Sequence, residues 1–111
     1  MSIKMAPKEI EQELSDCLIL IKEFQNRVRN REIVAFSPFE KKLKKVSKAL
    51  LGLPGSARID VAQKYLVLVN ALRELGKALA ENKGRRKDIE HVLLIESEAH
   101  RIHAQALGLE V

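Results

Sequence analysis

The chain of 111 residues contains one cysteine, no tryptophan and four aromatic side chains, Phe24, Phe36, Phe39 and Tyr65. Cys17 alone can close no internal disulfide, and no positively charged start leads into an apolar stretch and a cleavage site. A reducing, cytoplasmic compartment is therefore expected. The longest unbroken apolar runs, Cys17 to Ile21 and Tyr65 to Val69, fall far short of the roughly 20 residues that cross a bilayer, so no transmembrane helix is predicted. Glycine is scarce. Gly52 and Gly55 bracket Pro54 as turn residues, no glycine-rich phosphate cradle is present, and Ser37 and Ser56 read as helix caps rather than nucleophiles. Zinc-finger spacing and the aromatic motif of ribonucleoprotein domains are missing as well.

The length fits a single helical domain spanning residues 1–111, and a hydrophobic share of 46% is enough to fill its core. Four segments place apolar residues at alternating three- and four-residue spacings, the pattern of amphipathic helices, and none alternates like a strand. The first opens near Pro7 and carries Ile10, Leu14, Cys17, Ile21, Phe24 and Val28 to about Arg31, with Glu9, Glu11 and Glu13 suited to a helix N-terminus. The second begins at Ser37, Pro38, Phe39 and Glu40, which match a capping box, and continues through Leu43, Val46 and Leu50 to a turn at residues 52–56. The third runs from about Ala57 to Asn82 on a stripe of Val61, Tyr65, Leu68, Leu72, Leu75 and Leu79, widened by Ala62, Leu66 and Val69. That breadth predicts a central helix. The fourth starts at a cap on Asp88 and carries Val92, Ile95, Ala99, Ile102 and Ala106 to a stop at Gly108. Short connections favour antiparallel neighbours, so the expected fold is all-α, an antiparallel up-down four-helix bundle whose short second helix admits irregularity.

Charge is unevenly spread along the chain. Residues 27–48 hold eight cations, Arg27, Arg29, Arg31, Lys41, Lys42, Lys44, Lys45 and Lys48, against two acids, Glu32 and Glu40, and this stretch carries the whole excess of a chain with net charge +5. At about 100° per residue, Lys41, Lys44, Lys45 and Lys48 cover the side of the second helix opposite its apolar stripe, with Lys42 at the margin. A second group, Lys83, Arg85, Arg86 and Lys87, lies between the third and fourth helices. Up-down topology places that link at the same end as Arg27, Arg29 and Arg31. Cations just before a helix start oppose its dipole, which makes sense if an anion binds there. The expectation is a merged field attractive to a polyanion.

Apolar residues also occur off the stripes. Ile19 points away from the core face with Leu18 and Leu20 on its flanks, which predicts a second packing surface, for self-association or for a partner helix. Leu94 stands alone on its side of the fourth helix and is read as an ordinary exposed leucine.

Candidate chemistry is sparse. Glu96, His100 and His103 share one helix face but lack ligands from a facing helix, so local pairing is expected rather than a metal site. Cys17 sits on a core stripe, where a buried inert thiol is expected. Arg86 and His91, with four residues between them, resemble the arginine-to-histidine motif of the helical ribonuclease family HEPN, which would imply RNA cleavage. The likeness covers six residues, and Lys87 stands where that motif has a small polar residue. The combined reading is a non-enzymatic helical module, without cofactor, that binds nucleic acid, RNA or DNA, through backbone phosphates, and that self-associates or joins a larger assembly. The alternative is an assembly subunit, adaptor or chaperone whose cations meet an acidic protein.

Overall fold

Each predicted stripe folds into a helix in the computed structural model, which describes residues 5–108. The helices are α1 (Pro7–Arg29), α2 (Ser37–Leu51), α3 (Gly55–Glu81) and α4 (Arg86–Ala106), with no strand among the described residues. The stripe residues of α1, from Ile10 to Val28, are all buried. With its 27 residues α3 is about 40 Å long at 1.5 Å per residue and spans the 42 Å long axis of the molecule. Both of its flanks are apolar because α1 packs along one and α4 along the other, while the backbones of α1 and α4 nowhere come within 8 Å of each other, Cα to Cα. The 15-residue α2 lies across the bundle, meeting α1, α4 and, more lightly, α3.

Contacts between side chains fix the helix directions. Lys64 reaches Glu11 at 2.9 Å, near the starts of α3 and α1, so those two helices run parallel. Arg58, at the start of α3, donates to the carbonyl of Ala106 at the end of α4 at 2.9 Å, so these run antiparallel. Phe36 and Phe39, at the start of α2, meet Phe24 late in α1 with ring centroids 5.3 and 5.9 Å apart. The bundle is therefore up-down as predicted, but the order around it is α1, α3, α4, α2 rather than the order of the chain. Short links do not force consecutive helices to be the best-packed neighbours, and α3 has the widest apolar surface to share.

Three predicted caps are corrected, the first being Ser56, which is the second residue of α3 behind Pro54, where no side chain caps the helix. Ser37 does not cap α2 but is its first helical residue; Phe36 precedes the helix, its carbonyl accepting from the Glu40 N–H at 2.9 Å, and no side chain caps this end. Burial of Phe36 among aromatic rings fixes the helix entry in place of a polar cap. Asp88 likewise lies within α4, which starts at Arg86 because the Arg85 carbonyl accepts from the N–H groups of Asp88 and Ile89. At α1, where Pro7 is the first helical residue, the Glu9 carboxylate accepts from the Ala6 N–H at 3.2 Å, half of a capping box. Gly108 follows α4 with φ 76°, the left-handed stop expected of it.

Inside the core, Ser47 donates to the Leu43 carbonyl at 2.7 Å, which leaves the Tyr65 hydroxyl to donate to Ser47 at 2.9 Å. No buried side-chain polar atom among the described residues lacks a partner. Lys42 fastens α2 to α1 through Glu13 at 3.1 Å and Asp16 at 3.7 Å, and its ammonium is held above its ordinary pKa chiefly by the hydrogen bond to Glu13. This explains why Lys42 departs from the lysine row beside it. No helix among the described residues is long and apolar enough to cross a membrane.

Candidate functional site

The ends of α1 and α3 are built alike. Each helix closes on an asparagine, Asn30 or Asn82, followed by a basic residue in the left-handed region, Arg31 at φ 58° and Lys83 at φ 55°. In α1 the Glu32 N–H reaches back to the Arg27 carbonyl at 2.9 Å and Arg31 to Val28 at 3.0 Å. In α3 the Gly84 N–H reaches Leu79 at 2.7 Å and Lys83 reaches Ala80 at 3.4 Å. Both are Schellman closures, whose left-handed residue is usually glycine because a β-carbon there costs about 1 kcal/mol or more. Gly84 is needed for a different reason: a β-carbon on it would stand 2.9 Å from the Leu79 carbonyl oxygen.

These two closures face one another. A cavity of about 180 Å³ lies between the α1–α2 link and the α3–α4 link, with Arg31, Lys83 and Arg85 around it beside Glu32 and Asp88, and with Val28, Phe36 and Leu79 as apolar lining. The predicted sharing of one end by both links is thus observed. Arg27, Arg29, Arg31, Lys83, Arg85, Arg86 and Lys87 are all exposed. So are Lys41, Lys44, Lys45 and Lys48, on the outward side of α2 as projected.

Carboxylates answer some of these charges and not others. Arg85 forms a fork with Asp88 at 3.0 and 3.5 Å, Arg86 pairs with Glu90 at 3.1 Å, and Lys44 lies 3.7 Å from Glu40. Asp88 in the first turn of α4 compensates the cations at that helix start, so the local conflict with the dipole is resolved within the chain. Among the described residues, Arg27, Arg29, Arg31, Lys41, Lys45, Lys48, Lys83 and Lys87 make no ion pair.

The other sequence candidates fall into place around this end. Arg86 and His91 engage different partners: the Arg86 side chain is 93% exposed beside Glu90, whereas His91 holds Glu40 of α2 at 2.7 Å and packs edge-on against Phe36. On the far side of α4, Arg73 approaches Glu96 at 3.9 Å and His100 at 3.4 Å. A cation thus sits against the group, and no cluster that could hold a metal occurs among the described residues. Burial, and then the neighbouring His100, hold His103 below its ordinary pKa. Cys17 is buried, and desolvation pushes its thiol up to about 11, an unreactive state. Of the run Leu18, Ile19 and Leu20, only Ile19 projects, at 57% exposure; the flanking leucines pack against the core.

Sequence reasoning missed a groove. Between α2 and α4 lies an open depression of about 410 Å³, lined by Leu43, Tyr65, Leu94, Ile95, Ala99 and Ile102 with Lys44, Lys48, Glu98 and Arg101 at its edge. The off-stripe Leu94 was its signal, legible only once α2 is known to lie beside α4. All three phenylalanines and Tyr65 are buried, so no aromatic among the described residues is available for stacking on a base.

No family model, curated protein or solved structure matches this chain.

Proposed function

We propose that this chain is a non-enzymatic helical module that binds nucleic acid through its backbone phosphates. The observation that carries the reading is the meeting of the two links: Arg31 and Lys83, distant in sequence, flank one cavity and make no ion pair among the described residues. Arg27, Arg29 and Lys87 extend the cationic end, and Lys41, Lys45 and Lys48 continue it along α2. Exposed cations gathered in this way, in excess of Glu32 and Asp88 beside them, steer and hold a polyanion. Stacking and base reading have no support, since the aromatic rings are in the core; contacts to phosphate position a nucleic acid without reading its sequence.

Fluorescence anisotropy with mixed-sequence duplex DNA and with RNA, at low and raised salt, tests this. About six phosphate contacts would cost roughly 10³-fold in affinity between about 50 and 200 mM salt. Reversing the pair, Arg31→Glu with Lys83→Glu, is expected to weaken binding by about tenfold or more and to flatten the salt dependence by roughly two contacts. Absence of binding, or binding indifferent to salt, would remove the reading.

A further inference from the structure

We infer that the groove between α2 and α4 receives an acidic amphipathic helix from a partner protein. The groove follows from the way α2 is anchored. His91 and Glu40 join α4 to α2 at 2.7 Å near one end, and beyond that point the two helices leave a depression of about 410 Å³ over the flank of α3. Its floor is apolar in effect, because the two hydroxyls exposed to it in principle, Ser47 and Tyr65, already bond to each other and to the Leu43 carbonyl. Leu94 stands at its rim, 63% exposed.

Shape and charge together select the occupant. The lining extends from Glu40 to Leu51 on α2 and from Leu94 to Ile102 on α4, about 16 Å and about 12 Å at 1.5 Å per residue. That length accepts side chains at positions i, i+3 or i+4, and i+7 of an incoming helix. The walls differ in charge. On α4, Arg101 and Glu98 satisfy each other at 2.7 Å. On α2, Lys48 has no carboxylate partner among the described residues, Lys44 is 73% exposed beside Glu40, and Lys41 and Lys45 stand on the outward side of the same helix. A helix laid in the groove therefore gains from acidic residues on the side facing α2. A nucleic acid has no use for the apolar floor. The α1 helix of a second copy is a poorer occupant, since three of its acids, Glu11, Glu13 and Asp16, are committed to Lys42 and Lys64 and its apolar stripe is buried.

The test uses two synthetic peptides of roughly 14 residues with the same leucine stripe, one flanked by glutamates and the other by lysines, titrated against the full chain by fluorescence anisotropy. The acidic peptide is expected to bind and the basic one to bind at least about tenfold more weakly. Leu94→Glu, at an exposed position that leaves the core intact, should weaken the acidic peptide about tenfold or more and weaken nucleic-acid binding much less, through the one charge it adds beside Lys48. Failure of the phosphate reading would leave the peptide result standing, and the converse holds too. Equal affinity for the two peptides, equal binding by the Leu94→Glu protein, or no binding of the acidic peptide up to about 1 mM would overturn the inference. So would a doubled molecular mass in solution that Leu94→Glu returns to a single chain, because the occupant would then be a second copy.

Discussion

The middle of α3 and its far end treat polar groups in opposite ways. Around Tyr65 every buried side-chain polar atom of the described residues is satisfied, with Tyr65, Ser47 and the Leu43 carbonyl in one short chain of hydrogen bonds. At the far end Lys83 holds a left-handed backbone that glycine would adopt more cheaply, and its ammonium has no partner among the described residues. Arg31 repeats the arrangement at the end of α1. The middle is built for stability. The end keeps positive side chains at two positions where glycine would serve the backbone better, which suits the phosphate binding proposed above.

The largest expected effect breaks the middle by ionising it. Burial raises the Cys17 thiol from its ordinary 9.0 to about 11 and the Tyr65 hydroxyl from 10.0 to about 12. Below pH 9 both groups are neutral whether the chain is folded or not, and their contribution is fully present. As pH rises through 9 and then 10 the unfolded chain releases these protons first, so stability falls until the folded groups also ionise near 11 and 12. A rise of two units corresponds to about 3 kcal/mol at most for each group. Urea unfolding between pH 8 and 12 should show the midpoint falling steeply in the native protein and less in Cys17→Ala/Tyr65→Phe, which is weaker at neutral pH but lacks both titrations. Parallel curves for the two proteins would mean that these groups do not set the alkaline limit.

A smaller effect is expected where the middle hands over to the end. Gly84→Ala places a methyl group 2.9 Å from the Leu79 carbonyl oxygen and 3.0 Å from its Cδ2, inside a closure formed by a 2.7 Å hydrogen bond. The expected cost is about 1–3 kcal/mol, read as a lower thermal midpoint. Nucleic-acid binding should weaken as well, because the same turn positions Lys83 and Arg85 at the cavity. An unchanged midpoint would show that the turn relaxes freely.

The two regions also differed in how legible they were. The buried stripe of α1 and the breadth of α3 could be read from spacing, because a period of 3.6 residues states directly which side of a helix faces the core. Helix starts were read less well. Ser37 and Asp88 have the chemistry of caps, yet the aromatic cluster around Phe36 and the carbonyl of Arg85 start their helices one and three residues earlier. Val34 and Phe36 are buried although they lie in a link, where no period marks them. The meeting of Arg31 with Lys83 followed from alternating helix directions and could be anticipated. The groove at Leu94 could not, since periodicity identifies an apolar side without saying which helix will stand next to it. Only the packing of α3 between α1 and α4 brings α2 beside Leu94.

The most subtle prediction addresses the contrast itself. Arg31→Gly and Lys83→Gly each remove a β-carbon from a left-handed position and should raise stability by up to about 1 kcal/mol, less the backbone entropy that glycine restores to the unfolded chain. Each also removes one exposed cation from the shared cavity. Thermal melts and salt-dependent anisotropy on the same samples should therefore move in opposite directions, with a higher midpoint and a weaker, less salt-sensitive interaction with nucleic acid. The sign of the stability change is informative because a merely solvated lysine or arginine gives no reason for a chain to forgo glycine there. If the glycine variants are stabler and bind as before, the left-handed cations serve no phosphate and the end of the bundle is only a costly way to stop two helices. If they are stabler and bind less, the strain at Arg31 and Lys83 is the cost of placing charge where two distant links converge.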